Sequence, residues 1–187
     1  MSYINYTDII NDIEKLKLYR QSRIIRWQLR DFVFPENDSE HQLYVTQIIV
    51  YLSKVLNISD KDTLIALKYG CTHDYVESCS GVGDVNFALK QKIPKLKDLV
   101  EELEENAMMS IPEFYTSMKD CENNKISFTL VNLADALDAC LYVRREIRHN
   151  KNDEEWKELD VEVTNRVKIL YIELLKLLNI DTNEYCN

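Results

Sequence analysis

His73, Asp74 and Glu77 set one imidazole and two carboxylates inside a five-residue stretch. On a helix, His73 and Glu77 project from one face a turn apart, and Asp74 and Glu77 are neighbours as well. Two carboxylates crowded into a partly buried turn repel each other and lose hydration. A divalent cation reverses that cost, and imidazole with carboxylate is a ligand set that suits zinc, iron, manganese or cobalt. The same five residues are equally compatible with a solvated helix face, so the motif alone does not decide.

A second acidic feature lies further on. Ala134-Asp135-Ala136-Leu137-Asp138 sets acids into an apolar helix whose Leu133, Ala134 and Leu137 face the core. Asp135 falls at the edge of that stripe, where a carboxylate needs a cation, an arginine or solvent. Three histidines occur in all. His41 begins a helix of its own. His149 lies in the polar segment Arg148-His-Asn-Lys151 and reads as exposed and without a role.

The elements that must position these groups read as helices throughout. Only three glycines and three prolines occur in 187 residues, too few for the turns of a β-rich fold. A first helix is expected from about Thr7 to Phe32. Half of the chain's eight arginines lie in its segment Arg20-Gln-Ser-Arg-Ile-Ile-Arg-Trp-Gln-Leu-Arg30. A second helix starts near His41, with Val45, Ile48, Ile49, Leu52, Val55 and Leu56 as its core face. Ser59 and Asp62 suggest a capping box for a third, carrying Leu64, Leu67 and Cys71 and ending near Cys79. Two glycines then mark a loop at Ser80-Gly-Val-Gly83.

Pro94 opens a further helix through Leu96, Leu99, Val100 and Leu103, and Ile111-Pro112 restarts the chain after a break. Ser127 to Arg148 reads as one helix. The last, about residues 154–179, lines up Trp156, Leu159, Val163, Val167, Leu170, Leu174 and Leu178 as core or a dimer surface. No repeat or linker divides the chain, so residues 1–187 are expected to form a single domain.

Composition limits the partners. The net charge is −9, whereas a surface for long DNA or RNA carries a basic stripe. One small phosphate can still be held by local arginines or a metal. Five cysteines without CxxC spacing suggest a reducing, cytoplasmic setting, with the thiols as ordinary small buried residues. No signal peptide and no apolar run long enough to cross a bilayer are visible, so no membrane partner is expected.

Taken in order, His41, then His73-Asp74, then Asp135 resemble the H…HD…D signature of the HD-domain metal-dependent phosphohydrolases. Arg26-Trp27, Ser39-Glu40-His41, His73-Asp74-Tyr75-Val76-Glu77, Gly83-Asp84 and Leu133-Ala134-Asp135-Ala136-Leu137 sharpen the likeness. They resemble the YfbR-type 5'-deoxynucleotidases and their phage relatives, over residues 20–148. The resemblance implies an all-α HD-domain bundle, with His41, His73, Asp74 and Asp135 holding one divalent ion of manganese, cobalt, magnesium, iron or zinc. Glu77 is then the general acid/base or orients the attacking water. Arg26 anchors the phosphate, Trp27 packs by the sugar and disfavours a 2'-hydroxyl, and Asp84 holds the sugar or the water. Equally, Arg26 could be a solvated surface arginine and Trp27 a core tryptophan.

The chain departs from the family between Cys79 and Gly83, where the loop is longer, and in the weak Pro- and Lys-containing stretch after Asp84. Both put the substrate in question. Three enzymatic readings follow: hydrolysis of 5'-deoxynucleoside monophosphates, release of triphosphate from a deoxynucleoside triphosphate, and alarmone hydrolysis. The last is disfavoured, because those relatives carry Glu-Asp after HD and here Ser78 follows Glu77. A nucleotide-binding module without turnover is the non-enzymatic alternative. Relatives form dimers or larger rings, so a homo-oligomer is expected.

Overall fold

In a computed structural model, residues 10–11, 13–14, 16, 18–27, 30–80, 85, 90 and 92–181 are described. Among them the fold is all-α, with no β-strand and one isolated antiparallel bridge between Ile25 and Asn37. A 3-10 helix, Leu18–Arg23, precedes α1 (Asp38–Val55), α2 (Asp60–Gly70) and the short α3 (Tyr75–Ser80). Then come α4 (Pro94–Met109), α5 (Pro112–Glu122), α6 (Lys125–His149) and α7 (Glu154–Leu177). Pro94 and Pro112 each stand in the first helical turn, where proline costs no hydrogen bond.

The expected first helix does not run through to Phe32. After Arg23 the chain reverses: the Arg26 N–H donates to the Glu36 carbonyl at 2.9 Å and the Asp38 N–H to that of Ile24 at 3.2 Å. Trp27 takes a left-handed conformation (φ 63°), which a helix interior does not permit. The expected third helix also ends early, at Gly70 rather than near Cys79. Thr72 Oγ1 donates to the Lys68 and Tyr69 carbonyls, satisfying acceptors of the last turn. His73 and Asp74 therefore sit in a turn between α2 and α3, and His73 does not share a helix face with Glu77.

Two apolar clusters organise the bundle. Val45, Ile49, Leu52, Ala66, Leu130, Leu133, Ala134 and Leu174 join α1, α2, α6 and α7. Tyr142, Val143, Trp156 and Val163 form the second, between α6 and α7, with Val167 packed against both. The expected core stripes hold only in part: Val55, Leu64, Leu99 and Leu103 are exposed. Cys121 and Cys140 are buried, but Cys71 is exposed, contrary to the cysteine expectation. Helix α6 is long and apolar enough by length and composition to cross a membrane. In this fold it is the central core helix, mostly buried, and it carries the buried Asp138 and Glu146.

Capping and tethering aim α1, α2 and α6 at one place. Asn37 and Glu40 form a capping box at the start of α1, one turn before His41. Ser59 caps α2 by accepting from the Asp62 N–H, the pair expected from sequence. Asp62 in turn accepts from Asn124 Nδ2 at 2.7 Å, tying the start of α2 to that of α6. Gly70 allows α1 and α2 to approach: a Cβ there would lie 2.5 Å from Ile49 Cδ1. The loop before α1 is pinned from behind. The fully buried Glu146 accepts from the Val33 and Phe34 N–H groups at 2.7 and 3.0 Å. Trp156 Nε1 donates to the Asp31 carbonyl at 3.0 Å, and Tyr142 Oη donates to that of Phe34 at 2.7 Å.

Candidate active site

Four side chains from α1, the α2–α3 turn and α6 meet at one point. His41 Nε2 lies 3.3 Å from His73 Nε2, 3.3 Å from Asp74 Oδ2 and 3.4 Å from Asp135 Oδ1. His73 Nε2 lies 3.3 Å from Asp74 Oδ1. His41, His73 and Asp135 offer ligand atoms within 4.8 Å of one another. The structure thus brings His41, His73 and Asp135 together as one candidate metal-holding group, with Asp74 set against both imidazoles through different oxygens.

The far nitrogen of each imidazole is already committed. His41 Nδ1 is 2.7 Å from Asp138 Oδ2, and His73 Nδ1 is 2.9 Å from the Gly70 carbonyl. Both partners only accept, so each Nδ1 carries the proton and each Nε2 turns a lone pair inward when the ring is neutral. Two lone pairs and two carboxylates then face one another with no proton between them. That arrangement requires a cation. Donors about 2.1 Å from a common ion stand roughly 3.0–3.4 Å apart at tetrahedral to octahedral angles, and the separations here fall in that range. The donor set fits a divalent metal.

Without the ion, protonation does the same work. Burial and the Arg26 charge oppose a positive His41, but hydrogen bonds to Asp135 and Asp138 and the charge of Asp74 outweigh them and push it up to about 10. Asp135 is held below the usual carboxylate range: burial opposes this, but its hydrogen bond to His41, the His41 charge and Arg166 prevail. Asp74 is lowered too, with His73, His41 and Arg26 overcoming burial.

Arg26 NH1 donates to Asp74 Oδ2 at 2.7 Å, and Arg26 Nε stands 3.9 Å from Glu36 Oε2. Arg26 is therefore at the site rather than on a solvated face. Trp27 turns away from the quartet, stacking on Tyr142 with ring centroids 5.3 Å apart and planes 3° from parallel. Its Nε1 is buried without a hydrogen-bond partner among the described residues. Glu77 is half-buried in the first turn of α3, its N–H donating to the Asp74 carbonyl at 3.1 Å. Asp84 lies outside the described residues. His149 is exposed, as expected, and contacts Phe34 edge-on.

Three neighbours were not anticipated from sequence: Glu36, Asp138 and Arg166. Asp138 is three residues after Asp135 on α6, so the helical spacing carried a signal that the apolar stripe obscured. Glu36 precedes the cap of α1 and has no periodic pattern to betray its burial. Arg166 sits on α7, beyond the motif-bearing segment. Beside His73 lies a cavity of about 370 Å³ whose wall includes Glu101, Glu104, Glu105, Glu122 and Lys119. On the far side of His41 a second cavity, about 430 Å³, is lined by Glu36, Asp138, Arg145 and Arg148 among others.

Glu36 gives this site a pH signature. Burial and repulsion from Asp138 push its carboxyl from 4.5 up to about 7, against the pull of Arg26, His41 and Arg145. A folded-state value above the unfolded one means that the protonated acid stabilises the fold. That contribution is complete below about pH 4.5 and lost as pH rises through 7. Glu36→Gln cannot titrate. In the presence of a chelator, its thermal stability relative to the parent should grow between pH 5 and pH 8, by on the order of 3 kcal/mol. A difference that stays flat across that window would show that Glu36 does not carry the shift.

The family model for YfbR-like 5'-deoxynucleotidases matches residues 16–177. No curated protein matches. Among solved structures, the cyanophage S-2L HD phosphohydrolase DatZ, bound to dA and one catalytic Zn2+ ion, is similar at TM-score 0.58 and 21% identity, covering 86% of this chain and 94% of that one. An HD-domain phosphohydrolase from Listeria innocua is similar at TM-score 0.68 and 17% identity, covering 90% and 89%. A protein from Pyrococcus horikoshii gives 0.65 and 25% identity over 90% and 97%. The structural likenesses carry the HD fold, and the family match spans all the described site residues. The chain belongs to the YfbR-like 5'-deoxynucleotidase family and is a metal-dependent nucleotide phosphohydrolase.

Proposed function

We propose that this enzyme hydrolyses the 5'-phosphate of deoxyribonucleoside monophosphates, giving the deoxynucleoside and inorganic phosphate. The observation that carries the reading is the convergence of two Nε2 atoms and two carboxylates, each ring locked from behind by an acceptor. His41, His73, Asp74 and Asp135 would hold one divalent ion. Bound there, it would supply charge neutralisation at the phosphoryl group and acidification of water. The chain's own groups do the rest. Arg26, anchored by NH1 to Asp74, brings a guanidinium charge to where a phosphate oxygen would meet the metal. Glu77 takes a proton from the attacking water and returns it to the departing 5'-oxygen as the P–O bond breaks. Trp27 is assigned to the sugar by resemblance alone, since its ring turns away from the quartet to stack on Tyr142. Asp84 is assigned to the sugar or the water by resemblance.

The monophosphate reading follows the family match. A single phosphate needs only the metal and a flanking arginine, and the cavity beside His73, walled by four glutamates, carries one lysine, Lys119, paired at 3.0 Å with Glu122. The net charge of −9 likewise fits a small substrate rather than long nucleic acid. We place the enzyme in the cytoplasm, with Cys71, Cys121 and Cys140 as free thiols. We expect a homo-oligomer, since Tyr44, Val50, Tyr51 and Val55 leave an apolar face exposed on α1.

The test is a metal-supplemented screen with products resolved. With manganese or cobalt, phosphate should appear from dAMP, dGMP or TMP, and more slowly from AMP. Triphosphate released from dATP in preference would replace this reading with the triphosphohydrolase. Tight nucleotide binding without turnover for any metal would reduce the protein to a binding module.

A further inference from the structure

Helices α6 and α7 run antiparallel, and three contacts define their register. Arg144 Nε meets Asp160 Oδ1 at 3.0 Å, Cys140 Sγ lies 3.8 Å from Thr164 Oγ1, and Arg166 NH2 meets Asp135 Oδ2 at 3.0 Å. Moving down α6 thus moves up α7, and Arg166 arrives opposite Asp135. Val163 and Val167, on either side of Arg166, are packed into the core and hold the helix at that register.

The two oxygens of Asp135 are divided between tasks. Oδ1 faces His41 Nε2 at 3.4 Å, and Oδ2 is taken by Arg166. Asp74 on the other flank is also held by an arginine, though its oxygens are not divided in the same way: Arg26 grips Oδ2 at 2.7 Å, Oδ2 stands 3.3 Å from His41 Nε2, and Oδ1 stands 3.3 Å from His73 Nε2. Each carboxylate of the quartet therefore has an arginine on one oxygen. Arg26 was expected at the site from sequence; Arg166 was not.

We propose that Arg166 is a positioning residue for the metal site: by holding Asp135 Oδ2, it presents Oδ1 to the ion as a single, pre-oriented ligand. This rests on the reading of Asp135 as a metal ligand. A carboxylate without such a partner rotates freely and hydrates, and must be reordered each time the ion binds. Outer partners of metal ligands carry about 10–100-fold in affinity for this reason. Arg166 also brings a positive charge close to a cation, which works against binding. Its side chain is 46% exposed, so solvent and salt screen that repulsion, whereas the orientation of Asp135 persists.

The experiment is a Mn2+ titration of the full chain, competed against a fluorescent chelator. Arg166→Ala and Arg166→Gln should bind Mn2+ about 10–100-fold more weakly than the parent, and Arg166→Lys, which keeps a donor for Oδ2, should recover part of the loss. Chelator-treated variants should melt within a few degrees of the parent, because a half-exposed ion pair contributes little to folding. Asp135→Ala in the same assay separates the two claims. If it binds Mn2+ as the parent does, Asp135 is not a ligand and both readings fall. If it loses Mn2+ while Arg166→Ala binds with parental or higher affinity, the ligand assignment stands and the positioning role is overturned. An Arg166→Ala protein that is unfolded before metal is added would also overturn it, since Arg166 would then be a structural strut.

Discussion

Asp135→Ala should lose its metal and its turnover together, with kcat/KM falling on the order of a thousandfold or more. Metal chemistry at a phosphoryl group supplies several kcal/mol of transition-state stabilisation, and each 1.4 kcal/mol is about tenfold in rate. Asp135 is the ligand that the proposed metal site takes from α6, and its Oδ1 stands 3.4 Å from His41 Nε2. The substitution leaves Arg166 without its carboxylate and removes one of the two hydrogen bonds that keep His41 protonated when no metal is bound. The apo variant should therefore show a second change: His41, pushed up to about 10 in the parent, titrates at a lower pH. An NMR titration of the ring reads this directly. The sign follows from the causes, since Asp135 raises the value and burial and Arg26 lower it. Full Mn2+ loading with unchanged kcat/KM in this variant would remove α6 from the site altogether.

How much of this was legible beforehand depends on whether a residue acts through its type and neighbours or through its depth. The quartet was legible because only three histidines occur, one of them directly before Asp74, and the four residues follow the order of the HD signature. The capping residues were legible because caps are local: Ser59 and Asp62 behave as their spacing suggests. The turn carrying His73 and Asp74 was not. An apolar period from Leu64 to Cys71 predicts an unbroken helix, yet both of those residues are exposed and the helix stops at Gly70. The reason is tertiary. Gly70 lies against Ile49, and the chain must leave the helix axis there to bring His73 Nε2 within 3.3 Å of His41.

The arginine-rich segment illustrates the same limit. A helical period through Trp27 predicts a face, but Trp27 adopts φ 63° to stack on Tyr142, more than a hundred residues away. That turn is what delivers Arg26 to Asp74. Glu36, Asp138 and Arg166 were hidden for a related reason. Charged residues are ordinarily solvated, so apart from the three-residue spacing of Asp138 from Asp135 no local pattern marks those that the fold buries or aligns with Asp135. Only the packing of the pre-α1 loop, α6 and α7 around His41 and Asp135 discloses them.

Glu77→Gln should separate proton transfer from metal binding. The side chain keeps its volume and can still donate and accept hydrogen bonds, but it cannot take a proton from water. General acid–base groups contribute roughly 10²–10⁴-fold, so kcat should fall by that amount. Mn2+ affinity should remain parental, in contrast with Asp135→Ala. The structure supports this division. Glu77 stands in the first turn of α3 with its N–H on the Asp74 carbonyl, so the backbone that places Asp74 also places Glu77. The variant should also lose whatever limb of the pH–kcat profile reports a carboxylate, leaving the metal-dependent limb in place. A kcat within a few-fold of the parent would dismiss Glu77 from the chemistry. Loss of Mn2+ affinity would make it a ligand instead, and the proton would then need another carrier. The sequence spacing His73-x-x-x-Glu77 cannot distinguish these outcomes, because the turn at residues 71–74 removes the shared helix face on which that spacing argument rested.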